Sequence, residues 1–208
     1  MNSCLDLIKQ ALIIKAKKTK GGGKLPSEYQ QCEYIESSGT QYIDLDYVPN
    51  PNTEFLMDYQ FLGSGDRRMG SLVTGGKGKL YIGAFGNKWF IGIGFEYNLN
   101  ISGGNNNRHI FETRSDGFYV DDILKWSGSF DETEYVSIYL FGLNNTGQLQ
   151  LTHSARCYEV KIFESGNLVK HFIPCYRKSD TEIGLYDLIG RQFYTNDGTG
   201  TFTKGGDI

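Results

Sequence analysis

The sequence predicts an all-β protein: a two-sheet antiparallel jelly-roll sandwich preceded by a short N-terminal α-helix and a linker. Three observations predict it. Gly is abundant at 27 residues and aromatics make up 14%, while Pro is scarce at 4, a balance suited to many strands joined by Gly and Asn turns. Apolar and polar residues alternate with period 2 in segment after segment, the pattern of half-buried strands. About a dozen such segments follow one another with no embedded helix, and two sheets bury such strands by packing their inner faces together. At 208 residues the chain is long enough for one large domain with a real core, plus an appendage.

The appendage comes first. Residues 3–18 carry the helical pattern, and Ser3 followed by Asp6 makes a capping-box-like start. Leu5, Ile8, Leu12 and Ala16 line one face at coiled-coil spacing, while Leu7, Ala11 and Ile14 fall nearly opposite. A short helix apolar on two sides is not stable alone in water. Leu5, Leu7, Ile8, Ala11, Leu12 and Ile14 are therefore expected to dock on a partner, either sister copies in a dimer or trimer or another protein. Packing on its own domain, or lying on an anionic membrane through its lysines, are the alternatives. The division expected is a helix over 1–18, a basic Gly-rich linker over 19–24 and a sandwich over 25–208.

In the body, Glu33 to Leu45 reads as two strand segments around Ser37-Ser38-Gly39-Thr40. Glu54 to Leu62 places Phe55, Met57, Tyr59 and Phe61 on one face, a core strand. Gly63 to Gly70 reads as a polar loop, followed by strands over 71–74, 79–85 and 88–94. Asn98 to Arg108 reads as a second polar loop. Residues 108–114 and 117–124 form a hairpin around Ser115-Asp116-Gly117, with a second turn at Asp121-Asp122. Glu134 to Leu143 is apolar on both sides, which predicts a central strand. Tyr158 to Glu164 and Leu168 to Ile173 pair around Ser165-Gly166-Asn167 and close at Pro174. Leu188 to Arg191 is a further turn, before the strand-like Gln192 to Thr195.

Charge and cysteines limit the function classes. The net charge of -3 hides six lysines within residues 1–24 against one acid, Asp6, so the body is acidic. Such a body lacks the basic stripe of a duplex-DNA binder, and no nucleic-acid partner is expected. Cys4, Cys32, Cys157 and Cys175 lie far apart without C-x-x-C spacing, and free, mostly buried thiols are expected. No apolar run reaches the roughly 20 residues of a membrane span, and no secretion signal is legible, so synthesis in a cytosol without export is expected.

Leu25-Pro-Ser-Glu-Tyr-Gln-Gln-Cys-Glu-Tyr-Ile-Glu-Ser-Ser-Gly-Thr-Gln-Tyr-Ile-Asp resembles the opening of concanavalin A-like (LamG-like) jelly-roll domains found in virion proteins of gut bacteriophages and prophages. Asp116-Gly-Phe-Tyr-Val-Asp-Asp resembles an internal turn of such domains. Phe172-Ile-Pro-Cys-Tyr-Arg-Lys-Ser-Asp, Gly184-Leu-Tyr-Asp and Phe193-Tyr-Thr-Asn, through Phe202, resemble their ending. The resemblance covers about residues 25–203 and leaves out the helix. It implies a β-sandwich and a virion structural protein: a head or tail fibre, or a capsid decoration. Residues 1–24 would then join it to other virion proteins.

Chemistry in this sequence is sparse. Glycanases of the resembled family carry E-x-D-x-x-E on a strand, whereas Asp131-Glu132-Thr133-Glu134 lies in a turn without that spacing. His109, His153 and His171 neighbour no Cys or Ser in a nucleophile signature. No enzyme activity and no cofactor are expected, with calcium at Asp66, Asp116, Asp121 and Asp122 the alternative that some relatives suggest. A lectin-like reading needs an exposed aromatic platform beside polar side chains. Trp89, Tyr97 and Trp126 with Asn98, Asn100, Asn105 and Arg108 are the candidates for host or mucosal glycans, and the competing reading puts both tryptophans in the core.

Overall fold

The computed structural model describes residues 23–73, 78–93, 96–102, 104–128 and 135–208. The helix expected over residues 3–18, with Leu5, Leu7, Ile8, Ala11, Leu12 and Ile14, and linker residues 19–22 lie outside the described residues.

Regular structure among the described residues is all β. Three short strands open the chain: β1 (Tyr29–Gln31), β2 (Ile35–Ser38) and β3 (Ile43–Asp44). Next come β4 (Thr53–Phe61), β5 (Arg67–Val73), β6 (Gly78–Phe85), β7 (Lys88–Ile93) and β8 (Glu96–Ser102). A meander follows of β9 (His109–Arg114), β10 (Gly117–Val120) and β11 (Ile123–Ser127). Then come the short β12 (Tyr139–Leu140), β13 (Leu143–Asn145) and β14 (Gln148–Gln150). The long hairpin β15 (Ser154–Glu164) and β16 (Asn167–Arg177) precedes β17 (Ile183–Asp187), β18 (Gln192–Tyr194) and β19 (Thr203–Lys204).

These strands form two sheets packed as a sandwich. The larger runs β11-β10-β9-β4-β15-β16-β17-β18, with β1 added to β16, β2 to β15 and β19 to β2. The smaller runs β14-β13-β5-β6-β7-β8, with β12 bridging β3 and β5. The alternation of β4 explains the seam between them. Phe55, Met57, Tyr59 and Phe61 are all buried and face Met69, Leu80, Ile82, Trp89 and Ile91 of the smaller sheet in one apolar cluster. Val160 opposite Met57 and Ile162 opposite Phe55 extend the same layer. A void of about 30 Å³ remains between the sheets, lined by side chains such as Met57, Met69 and Ile82, and apolar voids of this size stay dry.

Turn chemistry matches the residues. Ser165 (φ 47°) and Gly166 (φ 77°) close the β15–β16 hairpin, and Asp121 (φ 53°) and Asp122 (φ 63°) close β10–β11. Two successive left-handed residues make the tight turn that suits twisted strands, and Gly and Asp tolerate that conformation. Gly92 sits inside β7, where a Cβ would lie 2.1 Å from the Tyr81 ring.

Several expectations need correction. The strand expected over 134–143 is not one: Glu134 lies outside the described residues, and only Tyr139–Leu140 is extended before Phe141 turns at φ 66°. Ile138 instead exchanges backbone hydrogen bonds with Leu45 and Tyr47, both 3.0 Å. The segment is apolar on both sides because it changes direction inside the core, burying Ile138, Leu140, Phe141 and Leu143 in turn. Pro174 does not close β16, which continues to Arg177. Pro174 sits where β16 changes partners, so its missing N–H leaves no ladder bond unmade, and its carbonyl accepts from Cys32 N–H at 3.0 Å. The first polar loop ends early, since β5 begins at Arg67, and the second starts late, since β8 takes in Asn98 to Ser102. The pairing is not wholly antiparallel either: β13 runs parallel to β5.

Candidate functional site

The residues expected to bind glycans are not brought together. Trp89 is 1% exposed, wedged between the sheets with its ring 5.0 Å from Phe111 and 6.0 Å from Phe61. It is a core residue and offers no platform. Trp126 is half-buried on the edge strand β11 and packs against the main core. Tyr97 and Asn98 are placed along β8 opposite Gly92 and Ile91, and Asn100 lies on the same strand. The Asn105 side chain accepts from Asn107 N–H at 2.7 Å and lies 2.9 Å from His109 Nε2. Arg108 is exposed on the outer face of the larger sheet, away from Trp89.

Around Arg108 the outer face carries a polar-aromatic surface. Strand alternation sends Asp58 and Gln60 of β4 outward because Met57, Tyr59 and Phe61 point inward. The Arg108 guanidinium lies 3.6 Å from the centre of the Tyr158 ring and pairs with Asp58 at 2.7 Å. Tyr158 meets the Tyr34 ring edge-on at 5.3 Å and donates its hydroxyl to Gln60 at 3.0 Å. Arg156 lies 4.5 Å over Tyr34 and pairs with Glu36 at 2.5 Å. Each guanidinium is thus fixed by a ring and a carboxylate. The hydrogen bonds that both arginines donate to Asp58 and Glu36 outweigh burial and raise their pKa values above the ordinary one. The arrangement presents stacked ring and guanidinium planes, with the bidentate fork of Arg108 already spent on Asp58.

A second feature is the seam where the two ends of the sandwich meet. β1 adds to β16, β19 adds to β2, and Cys32 bridges to Asp207. Glu33 N–H donates to Gly206 O at 2.8 Å, and Ile208 N–H to Gln31 O at 3.1 Å. Gly23 N–H reaches Leu188 O at 3.3 Å beside this seam. Gly23 and Ile208, the first and last described residues, therefore lie at the same seam.

The remaining expected groups have structural partners. Asp66 pairs with Arg68, Asp116 accepts from Tyr119, Asp121 holds His109 at 2.6 Å, and Asp122 pairs with Arg114. Among the described residues no three His, Cys, Asp or Glu side chains cluster to hold a metal ion. Cys32, Cys157 and Cys175 are free and buried, as expected, and Cys4 lies outside the described residues. Sequence reasoning missed the outer face, although the polar positions between the inward residues of β4 and the Arg156/Tyr158 pair on β15 carry its signal. No family model matches the chain, nor does any curated protein or solved structure.

Proposed function

We propose that this chain is a non-catalytic display module of a bacteriophage virion, a concanavalin A-like jelly-roll sandwich carried as a head or tail fibre or capsid-decorating protein. Residues 1–24 attach it to other virion proteins and to sister copies. One observation carries this reading: both ends of the sandwich are stitched together at one seam, so a single tether there leaves the sheet faces and the remaining loops clear. The stretch that resembles the family's opening, with Cys175 to Arg177 of the ending, supplies one side of this seam.

Deleting residues 1–24 tests it. Beyond the tether the deletion removes the Gly23–Leu188 hydrogen bond, so the body keeps its cooperative unfolding while losing its place on particles. Recovery of the truncated chain on purified virions would refute the tether.

A second reading, lectin-like attachment to host or mucosal glycans, is favoured by the exposed Arg108–Tyr158 surface. Glycan-array binding lost in Tyr158→Ala with the fold intact supports it, and an array blank with the full chain refutes it.

A further inference from the structure

The larger sheet has a fork in its ladder. β15 pairs with β16 from Val160 onward and with β2 up to Cys157, leaving Tyr158 and Glu159 unpaired on that side. β16 pairs with β15 up to Phe172 and with β1 from Cys175, leaving Ile173 and Pro174 in the same gap. The fork opens a cleft of about 490 Å³, within the roughly 300–1,000 Å³ range of small-ligand sites.

Its chemistry is asymmetric. Ile173, Leu25 and Leu188 form an apolar wall, and Glu159, Gln30 and Gln31 supply polar groups. Glu159 Oε1 accepts from His171 Nε2 at 2.7 Å and from Lys161 Nζ at 2.9 Å. Both donors are buried, so the carboxylate is fixed from beneath. Burial pushes its acidity towards the neutral form, but the hydrogen bonds from His171 and Lys161 outweigh burial and hold it below the usual carboxylate value. Oε2 takes no hydrogen bond from the described residues, and the Glu159 side chain is 31% exposed. The Gln31 side-chain amide likewise makes no hydrogen bond among the described residues.

We infer that this cleft binds a single neutral sugar ring, whose hydroxyls Glu159 Oε2 and the Gln31 amide engage while its C–H face lies on the half-buried Leu25 and Leu188. Lys161 already balances the Glu159 charge, and exposed Lys24 at the rim disfavours a basic ligand, so a polyhydroxylated neutral ring fits better than an amine. A carboxylate with one fixed and one open oxygen is preorganised to accept from a pair of vicinal hydroxyls. This goes beyond the lectin-like reading: it places a sugar contact in the fork, separate from the Arg108–Tyr158 surface.

The test titrates the full-length chain with glucose, galactose, mannose and N-acetylglucosamine to millimolar concentrations, following backbone amide shifts by NMR. One sugar is expected to move the amides of Gln31, Glu159 and Ile173 in a saturable way. Gln31→Trp fills the cleft without touching an ion pair and should abolish the shifts. Glu159→Gln should weaken binding by about tenfold, the value of one lost charge-assisted hydrogen bond. Tyr158→Ala should leave it intact. Because Glu159→Gln leaves Lys161 buried without its counter-charge, Gln31→Trp keeps the test decisive if that variant misfolds. Shifts that survive Gln31→Trp, or that vanish in Tyr158→Ala, overturn the cleft while leaving the lectin-like reading standing. Absence of shifts with all four sugars, beside array binding that needs Tyr158, does the same. Absence of both overturns the two together.

Discussion

His153 makes the acid side of this protein's stability calculable. It is buried at the end of the core, its Nε2 3.0 Å from the Tyr59 hydroxyl and its Nδ1 3.1 Å from Leu151 O. The neutral tautomer satisfies both contacts, with Nδ1–H donating to the carbonyl and Nε2 accepting from Tyr59. Burial, with a smaller push from Arg67, lowers its pKa from 6.5 to about 4. The folded state therefore binds this proton less readily than the unfolded chain does. Stability is complete above about pH 6.5 and is lost as pH falls towards the folded value near 4. The whole effect is about 3 kcal/mol, of which about 2 kcal/mol falls between roughly pH 7 and pH 4.5. Urea unfolding of wild type and His153→Gln across that range reads it. The variant should start less stable but lose about 2 kcal/mol less on acidification. Glu159, held below its usual value, contributes stability present above the ordinary carboxylate range and lost as pH falls through its folded value. Being common to both proteins, it cancels in the difference. Parallel pH profiles would refute the reasoning, and so would an NMR titration showing the His153 ring protonated at pH 6.

Two further outcomes follow from burial. Trp89→Ala should cost about 3–5 kcal/mol in urea unfolding, because a ring in contact with Phe61 and Phe111 leaves a core cavity; a loss below about 1 kcal/mol would return Trp89 to the surface. Burial pushes the Cys32 and Cys175 thiols up to about 12 and Cys157 well above its ordinary value. Iodoacetamide at mildly alkaline pH should therefore leave all three unmodified in the native chain and label them after denaturation, as read by peptide mass spectrometry. Rapid native labelling of any of them would contradict the packing.

What the sequence made legible follows from which forces act locally. Period-2 alternation is a statement about one strand, so β4, β9, β10 and the β15–β16 hairpin could be read directly, and their turns follow from Ser-Gly and Asp-Asp pairs that accept positive φ. The 135–143 stretch misled because burial on both sides arises equally from a central strand and from a chain that bends inside the core. Only the φ of Phe141 separates the two. The candidate surfaces were hidden for a related reason. A tryptophan's size makes it attractive both as a glycan platform and as core filler, and residues 89 and 111 settle that contest only when the two sheets meet. The cleft lies further still from the sequence. Glu159 and His171 stand on adjacent strands, yet the opening beside them exists because β1 and β2, more than 120 residues earlier, replace the hairpin partners on either side of the gap. Local pattern placed residues 158–164 on a strand, but the ladder's change of partners turned Glu159 into a half-exposed carboxylate whose Oε2 takes no hydrogen bond from the described residues. A function carried by such a fork is a property of topology, and substitutions that preserve every strand's alternation while filling the fork, as Gln31→Trp does, should remove it without disturbing the fold.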